Sequence, residues 1–286
     1  AYFPELLDDQ GKMPWLKIAE YNRRTLNDYD DYVNNPTRCL NFGTFNMRPI
    51  LEGAEVSGNV NMPYMADGFV DTDNAFTFNG QITFSAWVIR DITNAGHVIV
   101  SKWDETSGSE KREWAFLMEA NRGPKLSIYK ESDDSNLTKE VNSAPSASVW
   151  HHLAATYDGA SVIKLYVDGV EQLDTTPTSS GSAPYQIEDQ TTIAEIGART
   201  ESNGNPGSFM DGMIDEVALW NTALSEAQIR SLYIQGRSFL ATNILNGNLV
   251  GYWNFNDKAD PPVNTTADVS TNNNTGIIDG ATFTGT

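Results

Sequence analysis

Paired carboxylates are the side chains of this sequence that could break a bond. Cleavage of a glycosidic bond, for example, needs two carboxyl groups that face the same bond, roughly 5–5.5 Å apart in the retaining mechanism. Asp215 and Glu216 are neighbours in the chain, so on a strand they should point to opposite faces. Asp71 and Asp73 share a face but have no third carboxylate in register with them. From the carboxylates we therefore expect a protein that is not an enzyme.

Oxygen-rich side chains form two short clusters that suit Ca²⁺, whose preferred ligands are carboxylate and carbonyl oxygens. One cluster contains Asp268, Asn272 and Asn274, although the same residues also suit an ordinary Asx turn. The other cluster contains Asp71 and Asp73. Spacing alone does not rank the two clusters. A structural Ca²⁺ is the one cofactor that the sequence suggests.

The histidines and the single cysteine point away from other metal or redox chemistry. His151 and His152 are adjacent, so one should face inward and the other outward, which is poor geometry for a shared metal. Cys39 is the only cysteine, which excludes an intramolecular disulfide. No Gly-rich phosphate loop and no Cys-x-x-Cys pair is present in the sequence.

Four aromatic residues could contact a glycan. Binding of a glycan usually needs an exposed aromatic ring beside hydrogen-bonding side chains, and these four lie at the ends of predicted strands or in predicted loops. Large aromatic side chains in a β-sandwich also serve as core residues, so this alternative stays open. The four candidates are Trp103, Trp114, Tyr129 and Tyr185.

The charge balance excludes several classes of partner. The chain has 19 Lys and Arg residues against 38 Asp and Glu, a formal net charge of −19. Such a field repels phosphate backbones and sulfated glycans, so we expect no nucleic-acid partner. The charge can serve solubility, or some of the acids can collect Ca²⁺. No apolar run approaches the roughly 20 residues that span a bilayer, so we also expect no membrane insertion.

The elements that must position these side chains are β-strands. Residues 150–157 and 163–167 each alternate apolar and polar positions, and an Asp-Gly pair follows each run. This pattern predicts three strands that fold back on one another in antiparallel order. Ile82–Val88 is apolar on both faces, which predicts a strand inside a two-layer sandwich.

Further segments extend the pattern of successive antiparallel strands. Val98–Trp103, Glu113–Met118 and Lys125–Tyr129 follow at regular spacing, as in a sandwich. Residues 175–184 are rich in Thr, Ser and Gly and are predicted to form a surface loop. One helix is predicted after Ser225, because a Gln three residues later completes a capping box and Gly236 can end the helix.

The two ends of the chain differ from this pattern. Residues 1–36 combine prolines with a short amphipathic stretch and an acidic cluster, which predicts an N-terminal arm and not a domain. Such an arm frays unless it is held, so we expect it to dock on its own body, on a protein partner or on a neighbouring subunit. Residues 37–286 are expected to form one domain.

Taken in order, Ile82–Val88, residues 150–169 and Asp211–Ser225 resemble the concanavalin A-like lectin/glucanase superfamily, and within it the laminin-G-like domains. The resemblance implies an all-β fold, a two-sheet antiparallel jelly-roll sandwich with one short helix, here preceded by the N-terminal arm. The fold is shared by lectins, glycan-binding modules, glycanases and structural proteins, so it does not imply one function.

Two expectations about the site come from the resemblance. In related domains an Asp in the strand that corresponds to Met213–Asp215 helps to bind a structural Ca²⁺, so Asp215 is a further metal candidate. Glycanases of the laminarinase type carry a Glu-x-Asp-x-x-Glu strand, and this sequence lacks that spacing. Its absence agrees with a protein that is not an enzyme.

The C-terminal segment departs from the family order. Residues 248–286 resemble the strands that usually open a laminin-G-like domain, yet here they close the chain. We expect them to supply the missing first strands, as in a circular permutation, and to pair beside Ile214–Leu219. Exchange with a neighbouring subunit is the competing explanation.

We therefore expect a non-catalytic recognition or assembly protein on a virion surface, outside the cell or on a cell surface. A structural surface component, such as a phage virion decoration or fibre protein or a cell-surface protein, is the first hypothesis, and it could also contact glycans. A secreted carbohydrate-binding module is one alternative. A glycoside hydrolase of the laminarinase type is the other.

Overall fold

β-Strands dominate the regular structure of the chain. The computed structural model describes residues 53–55, 59–61, 76, 78, 80–91, 93, 95–188, 190–237, 240–256, 265–279 and 282–284. Within these residues the strands form two sheets stacked as a sandwich, which confirms the predicted all-β fold. Residues 1–36, Cys39, Asp71 and Asp73 lie outside the described residues, so the predictions made for them stay predictions.

The strands are numbered along the chain. They are β1 (Gly53–Glu55), β2 (Asn59–Asn61), β3 (Gln81–Arg90), β4 (His97–Asp104), β5 (Lys111–Met118), β6 (Pro124–Lys130), β7 (Ser135–Val141), β8 (His151–Asp158), β9 (Ile163–Val167), β10 (Val170–Glu171), β11 (Thr175–Ser180), β12 (Ala194–Ile196), β13 (Arg199–Thr200), β14 (Pro206–Gly207), β15 (Gly212–Trp220), β16 (Leu249–Trp253), β17 (Thr265–Thr266), β18 (Gly276–Asp279) and β19 (Thr282–Thr284).

The first sheet is built around the predicted meander. Its order is β10-β9-β8-β3-β15-β1-β19, with β16 also paired to β15, and β8, β9 and β10 are antiparallel neighbours as expected. Asp158 begins the turn between β8 and β9: its Oδ1 accepts from three backbone N–H groups at 2.9 Å. Gly159 follows with a φ of +81°, a conformation that favours glycine.

The second sheet has the order β11-β7-β6-β5-β4-β12-β2-β18-β17 in the described part of the chain, with β13 and β14 attached beside β4. Thr175–Ser180, predicted as part of a loop, is its edge strand and pairs with β7 over six residues. The loop prediction was wrong here because small polar residues fit an exposed edge strand as well as a loop. Thr178 pairs directly with Thr138, and their hydroxyl groups are hydrogen-bonded.

Alternate side chains of both sheets fill the space between them. Ile82, Phe84, Ala86 and Val88 of β3 all belong to this interior core, which confirms the predicted position of that strand. Phe84 meets Trp114 of the second sheet with ring centroids 4.9 Å apart. Each such side chain contributes about 1.5–3 kcal/mol when it is fully buried, so the core holds the two sheets together.

The α-helix α1 (Glu226–Gln235) covers the outer face of the first sheet. Its start confirms the predicted capping box: Ser225 accepts from the Gln228 N–H, and the Gln228 side chain accepts from the Ser225 N–H. Gly236 ends the helix. Ile229 and Leu232 are the buried residues of α1 and share a second apolar cluster with residues of β8, β9, β15 and β16. Short 3₁₀ helices follow at Ala241–Asn243 and Asn246–Asn248.

The C-terminal strands join both sheets of their own chain. β16 pairs with Val217–Trp220 of β15, the strand beside which it was expected, while β18 and β19 pair with β2 and β1. Whether this order arose by circular permutation stays a prediction. Among the described helices, none has the length and apolar character that a membrane span requires.

Candidate functional site

Aromatic side chains, three of them half-buried, gather beside α1 on the outer face of the first sheet. Trp87 projects from β3 and Tyr233 from α1, and their rings stack with centroids 5.8 Å apart. The ring of His152, from β8, lies 5.4 Å from that of Trp87. Trp150 precedes β8 and lies under the guanidinium of Arg237. We call these five residues the helix-side site.

A glycine lets the helix approach the sheet at this site. Gly169, in the turn between β9 and β10, has a φ of +74°, and a Cβ atom there would lie 3.0 Å from the side chain of Tyr233. The Asp-Gly pair that predicted the turn therefore also sets the depth at which α1 packs.

His152 places a neutral polar ring in the site. It is 1% exposed, and its Nε2 lies 2.9 Å from Ser85 Oγ. Burial disfavours the charged imidazolium and lowers the pKa of His152 to about 4. The ring is therefore uncharged at pH 7, and its Nδ1 has no hydrogen-bond partner among the described residues.

His151 faces away from its neighbour, as alternation predicted. Its Nδ1 lies 2.8 Å from Oδ2 of Asp168, and its Nε2 lies 3.0 Å from Ser146 Oγ. Burial by itself would raise the pKa of Asp168, but the hydrogen bonds from His151 and from the His152 N–H outweigh it and keep that pKa below its ordinary value. The two histidines therefore do not share a metal position.

A β-bulge in β15 turns two adjacent carboxylates to the same face. The register with β3 shifts between Asp215 and Ala218, and Glu216 has a φ of +53°. Ile214 and Val217 both lie in the interior core although three positions separate them, so the two residues between them face α1. The expectation of opposite faces was wrong, because the extra residue of a bulge breaks the two-residue alternation.

Asp215 is held by a cation of its own chain. Arg237 Nε and Nη2 lie 2.8 Å and 2.7 Å from Asp215 Oδ2, and the Glu216 N–H donates to Oδ1 at 2.9 Å. The guanidinium carbon of Arg237 lies 3.8 Å from the centroid of the Trp150 ring. Asp215 is 1% exposed. This ion pair ties β15, the segment after α1 and the start of β8 together.

Glu216 borders a small polar cavity under the helix. The Tyr252 hydroxyl donates to Glu216 Oε2, and burial, together with the nearby Glu216 carboxylate, raises the pKa of Tyr252. The cavity volume is about 10 Å³, which holds about one water molecule and not a sugar ring. Its lining is Ser85, Trp87, His152, Glu216, Leu232, Gly236 and Ala241.

All four aromatic residues predicted to contact a glycan are buried. Trp114 and Tyr185, 0% and 6% exposed, belong to the interior core. Trp103 and Tyr129, 8% and 7% exposed, pack edge to face in a separate apolar cluster of the second sheet. Arg112 lies over the Tyr129 ring. The prediction of an exposed platform was wrong for these residues, because large rings gain most by leaving water.

The Asp268 loop has the hydrogen bonds of Asx turns. Asp268 Oδ1 accepts from two backbone N–H groups, and Oδ2 accepts from the Ser270 hydroxyl and the Asn274 N–H, each at 2.8 Å. The side-chain amides of Asn272 and Asn274 donate to the Val250 carbonyl. These groups therefore anchor the loop to β16, and the N–H groups occupy the oxygens that a cation would need.

Two calcium candidates, Asp215 and the Asp268 loop, lie within the described residues, and the hydrogen bonds that each makes do not suit a bound cation. Asp268 is surrounded by donors, and Ca²⁺ at Asp215 would have to displace Arg237. No three His, Cys, Asp or Glu side chains within the described ranges are grouped closely enough to hold a metal ion. Asp71 and Asp73 lie outside those ranges, where calcium binding stays a prediction.

Sequence reasoning missed the half-buried rings of the helix-side site. Trp150 and Trp87 were assigned only to strands, and Tyr233 lies in the segment that was predicted only as a helix. One signal was available: Trp87 is out of phase with Phe84, Ala86 and the other interior residues of β3. A large ring on the outer face of a sheet is expected to pack against another element, and the predicted helix was a candidate for that element.

Comparison with known proteins places this fold in a family. A laminin G family model, described as the concanavalin A-like lectin/glucanases superfamily, matches residues 65–230, which is more than half of the chain. No curated protein matches the chain.

Solved structures share the architecture at low identity. A proposed carbohydrate binding protein from Bacteroides ovatus aligns with a TM-score of 0.54 and 15% identity, over 82% of this chain and 60% of that one. The CBM40 of the Ruminococcus gnavus IT-sialidase, bound to α2,3-sialyllactose, aligns with a TM-score of 0.49 and 16% identity, over 63% and 95%. An SAP-like pentraxin from Limulus polyphemus gives 0.38 and 15%, over 54% and 69%.

The chain thus spans 60% of the length of the Bacteroides ovatus protein, whose likeness shows a common fold. The structural neighbours of the chain include carbohydrate-binding proteins and modules. The family match and the two-sheet sandwich agree with the resemblance read from the strand motifs. This chain belongs to the concanavalin A-like lectin/glucanases superfamily.

Proposed function

We propose that this protein binds carbohydrate without cleaving it, through the helix-side site. The observation that supports the proposal is the gathering of three half-buried aromatic rings, Trp87, Trp150 and Tyr233, beside the guanidinium of Arg237. Binding sites for small ligands combine apolar and aromatic surface with a few polar groups that fix orientation. The proposed carbohydrate binding by the Bacteroides ovatus protein of the same fold agrees with this function.

The charge of the chain narrows the class of glycan. A net charge of −19 repels sulfated sugars at long range. We therefore expect uncharged glycans to bind better than sulfated ones of the same backbone, and we expect that preference to weaken as salt screens the repulsion.

We expect no catalysis at the helix-side site, because both carboxylates near it are already engaged in an ion pair or a hydrogen bond. Asp215 is paired with Arg237, and Glu216 accepts from Tyr252. The cavity beside Glu216 holds about one water molecule, whereas hydrolysis needs both carboxyl groups at one glycosidic bond. Incubation with β-glucans should release no reducing sugar; release that disappears in Glu216→Gln would identify a hydrolase instead.

A glycan array with the whole chain, followed by titration of the best ligand, tests the site. Tyr233→Ala should weaken binding by about tenfold or more, equivalent to about 1.4 kcal/mol. Phe209→Ala is the matched control, because Phe209 is 41% exposed and lies outside the helix-side site. Failure of the protein to bind any glycan of the array would contradict the proposal. An equal loss of glycan affinity in Tyr233→Ala and Phe209→Ala would also contradict it.

A structural surface role is the second candidate, as a phage virion decoration or fibre protein or a cell-surface protein. It rests on the acidic charge and on the expected N-terminal arm of residues 1–36. Light scattering after size-exclusion chromatography, with and without residues 1–36, tests it. Loss of self-association in the shortened chain supports assembly; a full-length monomer whose solubility does not depend on the arm argues against it.

Calcium at Asp71 and Asp73 is a separate proposal, and chelation tests it. A metal that binds only the folded state raises the melting temperature by mass action. Addition of a chelator should then lower the melting temperature of the wild type but not that of Asp71→Asn/Asp73→Asn. An unchanged wild-type melting temperature would remove calcium from the proposed function.

A further inference from the structure

Two buried side chains at the ends of neighbouring strands carry N–H groups without acceptors. Arg90, the last residue of β3, is 2% exposed. Its Nη2 donates to the Pro145 carbonyl at 3.1 Å, whereas its Nε and Nη1 have no acceptor among the described residues. His97, the first residue of β4, is also 2% exposed. Its Nε2 has no hydrogen-bond partner in the described part of the chain.

The histidine is a donor at this position. The backbone N–H of Asp211 donates to Nδ1 of His97 at 3.1 Å, so Nδ1 acts as the acceptor. In a neutral imidazole the other nitrogen then carries the proton. Nε2 of His97 therefore presents an N–H group, as do Nε and Nη1 of Arg90.

Both side chains face the interior at the same end of the sandwich. Ile82–Val88 contributes every second residue to the interior core, and Arg90 continues that series. His97 pairs with Met118, which also belongs to the interior core. The backbone of Asp211 joins the two positions, because its carbonyl accepts from the residue after Arg90 while its N–H donates to His97.

A charged guanidinium with a single neutral acceptor is costly to bury. Burial lowers the pKa of Arg90, yet an arginine remains charged in proteins. Buried charges are normally paired with an opposite charge. Asp91, the neighbour of Arg90 in the chain, and Asp211, whose carbonyl accepts from the Asp91 N–H, are both exposed. Within the described ranges Nε and Nη1 of Arg90 have no acceptor, carboxylate or other. A bound water would accept hydrogen bonds but would leave the charge uncompensated.

We propose that this end of the sandwich binds a small monovalent anion, of the size of chloride or formate, which accepts hydrogen bonds from Arg90 and His97. One negative charge balances one guanidinium, and the N–H groups supply the directional contacts. The exposed Ser148 is a neighbour of Arg90, because its N–H donates to the Arg90 carbonyl at 2.8 Å. The anion site lies on the interior face of β3, whereas Trp87 of the helix-side site lies on its outer face.

Thermal unfolding of the whole chain tests the anion site. The sodium concentration is held constant while gluconate, a much larger anion that serves as the reference, is replaced by chloride or by formate. The melting temperature should rise with the logarithm of the anion concentration above the dissociation constant, by about 2–4 °C when the anion is at about ten times that constant. Arg90→Met should abolish this rise, and Arg230→Met, at an exposed position of α1, should preserve it.

Chloride NMR gives a readout that does not depend on the stability of a variant. Exchange with the wild-type protein should broaden the ³⁵Cl signal, and formate but not gluconate should reverse the broadening. Arg90→Lys keeps the charge but loses donors, so it should broaden the signal less. Equal melting temperatures in chloride and gluconate, no reversal by formate, or an Arg90→Met variant that responds like the wild type would each overturn the proposal.

Discussion

At the scale of single residues, the buried ion pair between Asp215 and Arg237 should contribute strongly to stability. Asp215 is 1% exposed, so removal of Arg237 leaves a buried charge without its partner. Arg237→Ala should lower the free energy of unfolding by about 3–5 kcal/mol, measured by urea denaturation.

A double variant separates the ion pair from the packing of its members. Asp215→Leu combined with Arg237→Met removes both charges and fills a similar volume, so most of the stability should return. Arg230→Ala, at an exposed position of α1, should change stability by less than about 0.5 kcal/mol. A loss below about 1 kcal/mol in Arg237→Ala would show that the pair does not hold the site together.

The lowered pKa of His152 predicts that the protein loses stability in mild acid. Its pKa is about 4 in the folded protein against about 6.5 in the unfolded chain. The unfolded state therefore binds the proton more readily, and stability falls as the pH drops from about 6.5 to about 4. The contribution of this one residue should reach about 3 kcal/mol at the lower end.

A variant separates the contribution of His152 to the pH dependence of stability from that of the carboxylates, which also titrate in acid. His152→Gln lacks the titrating ring, so its stability should fall less steeply over the same pH range, as measured by urea denaturation at each pH. Parallel pH profiles of the two proteins would mean that His152 is already charged in the folded state or remains accessible to water.

At the scale of elements, the start of α1 depends on its cap. Ser225 accepts from the Gln228 N–H, and Gln228 accepts in return from the Ser225 N–H. Ser225→Ala should lower the stability by about 0.5–2 kcal/mol. It should also weaken the packing of α1, which carries Tyr233 of the helix-side site. Ser231→Ala is the control: its hydroxyl only bonds back to the Ala227 carbonyl, so alanine there should be neutral or stabilising in urea denaturation.

The contact between β3 and β15 depends on one glycine. Gly212 has a φ of +146°, and a Cβ atom at this position would lie 2.0 Å from the Ile89 carbonyl oxygen. Gly212→Ala should therefore destabilise the fold by more than about 3 kcal/mol, because backbone must move on both strands. Gly247→Ala meets nothing within 4 Å and should be tolerated. Equal melting temperatures for the two variants would contradict this close approach.

Local patterns predicted most elements but not their irregularities. Alternation located β8 and β9, the Asp-Gly pairs located the turns after them, a run apolar on both faces located β3, and the capping box located α1. Each of these signals depends on neighbours in the chain. The bulge at Asp215 and Glu216 carries no such signal: it arises where β15 adjusts its register to β3. The sequence therefore predicted the strand but placed these two carboxylates on opposite faces.

At the scale of the whole molecule, the net charge of −19 should make stability depend on salt. Self-repulsion weakens the compact state, and the Debye length falls from about 30 Å at 0.01 M to about 10 Å at 0.1 M salt. The melting temperature should rise over this range in sodium gluconate, the reference salt of the anion-site test. Sucrose at the same osmolarity controls for solvent effects, and a melting temperature that follows sucrose alone would exclude self-repulsion.

The family and the fold were determined by the sequence itself, because alternation, turn residues and helix caps depend on residues that are close together in the chain. The surface available for binding was decided only by the tertiary structure. Burial of Trp103, Trp114, Tyr129 and Tyr185 depends on which faces of distant strands meet, and the helix-side site joins residues from β3, β8 and α1. Local spacing cannot encode those contacts, since they follow from strand register and from how the helix covers the sheet.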